Sequence, residues 1–223
     1  MSLLEVKDVV KQYGSGHTLV EALHETNFTL NKGEFSAIIG PSGSGKTTLL
    51  TILGLLQTPT SGEIWIDGSN VTELNSKEKT DLRFNKFGFI LQASNLIPFL
   101  TVREQFKLVD KFTHKSKKKM SPDELLEMLD LQEVANNYPS NLSGGERQRA
   151  AIARSLYNNP DIILADEPTA SLDTKRAEQV VELLAKIAHK SDQGVIMITH
   201  DTRLLKATDR VFVMRDGTLE EDK

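Results

Sequence analysis

The sequence predicts an α/β fold: a parallel, doubly wound sheet carrying a glycine-rich loop, with an antiparallel β patch beside it and a helical subdomain inserted into it. Three observations predict this. Gly40-Pro41-Ser42-Gly43-Ser44-Gly45-Lys46-Thr47 reads G-x-x-x-x-G-K-[ST], between an apolar, partly β-branched run at 34–39 and a helical pattern at 48–55, the strand–loop–helix context the motif needs. Apolar runs of strand length alternate with helical patterns through the last third of the chain, which builds a parallel sheet. From Ala93 to Asn141 strand signal gives way to helical patterns.

Taken in order, residues 3–13 alternate loosely, with Leu4, Val6 and Val9 against Glu5, Lys7 and Asp8, as in a half-buried strand. Gly14-Ser15-Gly16 is a turn, and 20–30 reads as two short strands before a turn at Asn31-Lys32-Gly33. Gly62–Gly68 adds another strand, and these flanking strands form the antiparallel patch. Residues 73–85 are charged and helical, and Phe87–Leu91 is a buried strand ending at Gln92.

Helical patterns follow at Thr101–Phe112 and Pro122–Leu131, the second opened by Ser121 with proline at the first helical position. Between them the basic run His114–Lys119 reads as a solvated loop, with attraction to anionic lipid headgroups as the weaker reading. A helix spans Gly144–Asn158, a strand Asp161–Glu167, a helix Lys175–Lys190 with Val180, Leu183, Leu184 and Ile187 on one stripe, and a strand Gly194–His200. A short helix at Asp201–Ala207 precedes a last strand, Val211–Met214, turned at Asp216-Gly217. The organisation expected is one unit, with 1–92 and 142–223 forming the β patch and sheet core and 93–141 the helical subdomain.

Composition narrows the function. The 223 residues carry 27 Lys and Arg against 31 Asp and Glu, a net charge of −4, which argues against a protein built to coat nucleic acid. The absence of cysteine excludes disulfides, zinc–thiolate sites and thiol catalysis. Met1–Lys7 lacks the basic and apolar regions of a signal peptide, and no run approaches the ~18 apolar residues needed to cross a bilayer. The expectation is a cytosolic chain whose membrane role requires a partner.

The chemistry follows from residue types. Gly43 and Gly45 let backbone N–H groups turn inward around phosphate oxygens, and the following helix points its positive end at the same anion. Lys46 adds a full charge at the β- and γ-phosphates, and the Thr47 hydroxyl is placed to ligate Mg²⁺. Asp166 ends a strand where a second Mg²⁺ ligand sits in such proteins, and Glu167 beside it is a carboxylate in range of an attacking water. Leu142-Ser143-Gly144-Gly145-Glu146 stands just before a helix, where serine and two glycines make a second anion cradle. One nucleotide does not readily need two cradles from one chain.

This ordered set resembles the ATPase subunits of ABC transporters over nearly the whole chain. Lys46 and Thr47 match Walker A, Ile162–Asp166 Walker B, Leu142–Glu146 the LSGGE signature, Gln92 the Q-loop, Ser171–Asp173 the D-loop, His200 the switch histidine and Tyr13 the aromatic that stacks on adenine. The resemblance implies a P-loop NTPase with a RecA-like core. It implies ATP held by Tyr13, by Gly40, Ser42, Gly43, Ser44, Gly45, Lys46, Thr47 and Thr48, and by Ser143, Gly144, Gly145 and Glu146 across a dimer. It implies Mg²⁺ at Thr47, Gln92 and Asp166, and hydrolysis carried by Glu167, His200, Lys46 and Gln92. The implied partners are a second copy, head to tail with ATP between the P-loop of one and the signature of the other, and integral membrane permease subunits that dock near Gln92 and Ile97–Leu100. The implied location is the cytoplasmic face of the membrane.

Within the family, Ala165–Asp173 resembles the macrolide-exporter and lipoprotein-release group. Thr48–Gly54 and the Ala170-Ser171 pair look most like the bacterial haem-exporter ATPase, which implies export of haem or another amphipathic toxic compound. The alternatives weighed are a soluble ATPase of the same family acting on DNA or ribosomes, and a non-hydrolysing nucleotide-binding scaffold. The intact Lys46, Asp166, Glu167 and His200 argue against the scaffold.

Overall fold

The computed structural model describes residues 2–112 and 119–222. In chain order the elements are β1 (Ser2–Tyr13), β2 (Val20–Asn31), β3 (Phe35–Ile39), α1 (Lys46–Leu53), β4 (Ser61–Ile66), β5 (Ser69–Asn70), α2 (Ser76–Lys86) and β6 (Phe87–Ile90). Then come α3 (Val102–Asp110), α4 (Pro122–Met128), α5 (Gly144–Tyr157), β7 (Ile162–Asp166), α6 (Thr174–Ser191), β8 (Gly194–Ile198), β9 (Arg210–Arg215) and β10 (Thr218–Glu221). Of the basic run, residues 114–118 lie outside the described residues.

Two sheets form. One has the order β2-β1-β4-β5 and is antiparallel. The other has the order β10-β9-β3-β8-β7-β6 and is parallel apart from the β9–β10 hairpin.

The strands of the parallel sheet are apolar on both faces because both faces are covered. Along β7, Ile162 and Leu164 pack with the antiparallel sheet and α1, while Ile163 and Ala165 pack with the helices on the other side. Along β8, Ile196 and Ile198 face the first layer and Val195 and Met197 the second. On the helical side α6 buries Val180, Val181, Leu184 and Ile187, and α5 buries Ala150, Ile152, Ala153 and Leu156. Leu125 and Leu126 of α4 and Phe106 of α3 join that cluster, so the helices between β6 and β7 share the core of the sheet.

The helix starts follow the capping rules. Asn75 with Glu78, Thr101 with Glu104, and Ser143 with Glu146 each form a reciprocal capping box.

The structure departs from the sequence reading in several places. Residues 20–31 form one strand of 12 residues rather than two short ones. Its pairing with β1 contains register shifts, which interrupt the alternation without ending the strand. A further strand, β10, follows the Asp216-Gly217 turn; its residues Thr218-Leu219-Glu220-Glu221 are mostly exposed and carry no buried-strand pattern. Thr202–Ala207 is a 3-10 helix. α3 and α4 end two and three residues before the expected Phe112 and Leu131.

Candidate functional site

The sheet order brings the site together. In the parallel registers Ile38 pairs with Ile198, Asp166 with Ile198, and Ile90 with Ala165. The carboxyl ends of β3, β8, β7 and β6 are therefore level, and Gly40, His200, Glu167 and Gln92 leave the sheet along one edge, where open α/β sheets bind ligands. There they line a cleft of about 470 Å³ with Ser42, Gly43, Gly45, Lys46, Thr47, Thr48 and Asp166. Ala22 and Ile198 complete its wall; neither carries a chemical signal that sequence reading detects.

The loop between β3 and α1 needs glycine for two different reasons. Gly40 has φ of 150°, and a Cβ there would stand 2.1 Å from the Met214 carbonyl oxygen, a clash with β9. Gly43 has φ of 79°, and beyond its chain neighbours no heavy atom of the described residues lies within 4 Å of where its Cβ would be; its backbone conformation calls for glycine, and the space beside it stays open. The Ser44 carbonyl accepts a hydrogen bond from Gly217 N–H (2.9 Å), so the β9–β10 turn braces the loop from behind. The Ser44 hydroxyl is buried without a hydrogen-bond partner among the described residues.

Lys46 Nζ donates to the carbonyls of Gly40 (2.8 Å) and Pro41 (2.6 Å), which holds the ammonium at the loop. Across the cleft Thr47 Oγ1 donates to Asp166 Oδ2 at 3.3 Å. Burial pushes the Asp166 carboxyl above the usual carboxylate range; the Thr47 hydrogen bond opposes the rise, the Glu167 charge adds to it, and Lys46 opposes it. Glu167 is held with φ of 48°, in the left-handed region, by its N–H donating to Ile198 O at 3.0 Å. His200 Nδ1 lies 2.9 Å from Glu167 Oε1. That hydrogen bond, and then the carboxylate charge, raise the His200 pKa above its ordinary value.

The second cradle stands apart. Ser143, Gly144, Gly145 and Glu146 do not line the cleft, and neither does Tyr13. Ser143 caps α5: its N–H and hydroxyl both donate to Glu146 Oε2 at 2.7 Å. The Ser143 hydroxyl bond, joined by the backbone bond, lowers the Glu146 pKa. Ser143 and Gly144 are exposed, while Gly145 packs toward Leu172 and Ser171. Tyr13 is 40% exposed, its hydroxyl donates to Gln57 Oε1 at 2.6 Å, and Lys11 Nζ stands 5.1 Å from its ring centroid.

A cleft with a glycine loop, a fixed ammonium and a hydroxyl–carboxylate pair offers the groups that a polyphosphate needs. The family model described as ABC transporter matches residues 23–170, which include both cradles and Asp166. The chain belongs to the ABC transporter family. It is 40% identical over 99% of its length to the ABC transporter ATP-binding protein MJ0796 of Methanocaldococcus jannaschii, covering 97% of that protein. It is 47% identical, over 97% of its length and 98% of the relative's, to HrtA of Staphylococcus epidermidis, a protein whose name assigns it to hemin import and ATP binding. It is 42% identical to the macrolide export ATP-binding/permease protein MacB of Mannheimia succiniciproducens, of which it spans 35%. The fold is that of solved ABC cassettes. A dimer of MJ0796 in a post-hydrolysis state with ADP and Pi superposes with a TM-score of 0.89 and 98% coverage of both chains. ATP binding by the chain follows from its family and from its likeness to the ADP-bound cassette.

Proposed function

We propose that the chain is the ATP-hydrolysing subunit of a membrane transporter, working as a head-to-tail dimer that drives export of haem or another amphipathic compound through a separate permease. The observation that carries the reading is the convergence of Lys46, Thr47, Asp166, Glu167, Gln92 and His200 on one cleft at the carboxyl edge of the sheet. In this reading Glu167 accepts a proton from the attacking water, His200 orients that carboxylate, and Lys46 stabilises charge on the γ-phosphate as it separates.

The oxygen donors fit Mg²⁺. The Thr47 hydroxyl and the Asp166 carboxylate meet at 3.3 Å in the same cleft as the Gln92 amide, and Mg²⁺ is typically held by one or two carboxylates together with substrate phosphates. When bound, the ion neutralises phosphate charge.

The Ser143–Glu146 cradle, with Ser143 and Gly144 exposed, lies outside the cleft and supports a dimer in which it completes a second copy's site. Among the described residues no helix is long and apolar enough to cross a membrane. In this reading the chain reaches the cytoplasmic face of the membrane through its permease. After Gln92 in the sequence, Phe99 is 74% exposed, and an apolar groove of about 460 Å³ is lined by Leu56, Phe84, Phe87 and Phe89; a permease segment would cover both. None of the relatives named here is named for DNA or ribosomes.

The test is phosphate release from ATP with Mg²⁺ by the full chain, alone and co-expressed with the membrane protein encoded beside it. The Lys46→Ala protein is the control. Hydrolysis abolished by Lys46→Ala, together with ATP-dependent haem movement out of permease-containing cells, is the expected result. A wild-type chain that releases no phosphate in either setting overturns the reading of the cleft.

A further inference from the structure

We propose that Arg154 is a positioning residue that fastens the segment after Gln92 to the helix carrying Ser143, so that the two nucleotide-facing elements move as one body. The inference rests on the assignment of Gln92 and Ser143 to the nucleotide made above, and it names the connection between them.

The observations are three hydrogen bonds across 57–60 residues of sequence. On α5, Arg154 Nη1 donates to Asn95 O at 2.8 Å, Arg154 Nη2 donates to Ser94 O at 3.3 Å, and Gln148 Nε2 donates to Leu91 O at 3.2 Å. The acceptors flank Gln92 on both sides and are backbone carbonyls in a stretch without regular structure. Asn95 has φ of 46°, a left-handed conformation that turns the chain and is uncommon away from glycine.

The guanidinium forms no ion pair among the described residues. Burial lowers its pKa, so these carbonyls are what offset the cost of taking the charge out of water. A planar fork meets two successive carbonyls at once, which an ammonium does not reproduce.

The other end of the connection is α5 itself. It runs unbroken from the Ser143 cap to Tyr157, with its interior face in the core. Eleven residues of α-helix carry a displacement at Arg154 over about 16 Å to Ser143. Arg154 also lines the apolar groove beside Phe84, Phe87 and Phe89. An occupant of that groove touches the clamp directly, and its push reaches Gln92 through the carbonyls and Ser143 through the helix.

The experiment compares the full wild-type chain with Arg154→Met and Arg154→Lys, by amide hydrogen exchange and by steady-state ATP hydrolysis. In Arg154→Met the amides of residues 93–97 exchange at least tenfold faster while those of α1 and β3 are unchanged. Its kcat falls roughly tenfold, the scale of a lost charge-assisted hydrogen bond, with KM for ATP within about twofold. Arg154→Lys lies between, because an ammonium retains one carbonyl. Exchange at 93–97 equal to wild type in both variants overturns the proposal. So does a rise spread evenly over the molecule, which marks a role in stability alone, or a loosened segment with unchanged kcat. If Arg154→Met does not fold, the Lys variant decides by the same criteria. A wild-type chain that hydrolyses no ATP counts against the reading of the cleft, while the exchange comparison still decides whether Arg154 holds the segment.

Discussion

His200 Nδ1 and Glu167 Oε1 lie 2.9 Å apart, joining the ends of β8 and β7. Glu167 is mostly buried on the sheet side, with 16% of its side chain exposed, whereas the His200 side chain is 76% exposed. The carboxylate is thus the enclosed partner and the imidazole the exposed one. The hydrogen bond from Glu167 N–H to Ile198 O anchors the acid to the strand that leads to His200. The Glu167→Gln protein is expected to bind ATP and to stop hydrolysing it, because the amide keeps the shape but accepts no proton. It is expected to accumulate as the ATP-bound dimer. Phosphate release and gel filtration with ATP check this; turnover near the wild-type rate would remove Glu167 from the role.

Tyr13 should set base affinity without touching the chemistry. Its hydroxyl is engaged by Gln57, and its ring remains 40% exposed outside the phosphate cleft. Stacking an aromatic ring on a base contributes about 1–3 kcal/mol. Tyr13→Ala is therefore expected to raise KM for ATP with kcat nearly unchanged. A large fall in kcat at constant KM would contradict this assignment.

Lys86 closes α2 onto the core: its ammonium lies 2.7 Å from Asp67 Oδ2 and 2.6 Å from Asp161 Oδ2. Desolvation opposes its charge, but the hydrogen bonds to Asp161 and Asp67 prevail and raise its pKa above 10.5. A raised lysine contributes stability that is fully present below 10.5 and lost as pH climbs through the folded-state value. With 32% of the Lys86 side chain exposed and the pair screened by solvent, Lys86→Met should cost no more than about 1 kcal/mol at neutral pH. The Tm difference between wild type and variant should persist through pH 9 and shrink above the unfolded lysine value of about 10.4. A difference that grows with alkaline pH would show that the pair is not its source.

The parts of this molecule that were legible in the sequence are those whose chemistry is local. The glycine loop, Asp166-Glu167 and Ser143–Glu146 each occupy a few consecutive residues, and strand–loop–helix order supplies their context. β7 and β8 were legible as well, because a strand covered on both faces reads as an unbroken apolar run. β10 was not, since its residues bury little and it exists through pairing with β9. The bulged β2 was split for a related reason: register shifts break the alternation that marks a strand. Arg154 offered no signal of its role. Its partners are backbone carbonyls 59 and 60 residues away, and a carbonyl has no residue identity to read.

The last prediction tests whether the two cradles meet across a dimer. In one chain Ser143 is exposed and absent from the cleft that Lys46 lines. If each ATP lies between the P-loop of one copy and the signature of the other, a homodimer has two sites. Lys46→Ala spoils the P-loop half of a site. Ser143→Arg spoils the signature half with bulk and charge, and also removes an N-cap worth about 1 kcal/mol, so its Tm must be measured. Either variant alone has two damaged sites and should be inactive. In a mixed dimer one site unites both damaged halves, while the other unites the intact P-loop of the Ser143→Arg chain with the intact signature of the Lys46→Ala chain. Mixing two inactive proteins should therefore restore phosphate release, with a maximum near equal proportions. A chain carrying both substitutions, mixed with wild type, leaves no intact site in the mixed dimer and should depress activity below simple dilution. Mixed dimers that form, yet neither hydrolyse ATP nor bind it in one site, would count against the composite geometry. Full hydrolysis by a dilute monomer would show that one chain is sufficient and would end the head-to-tail model.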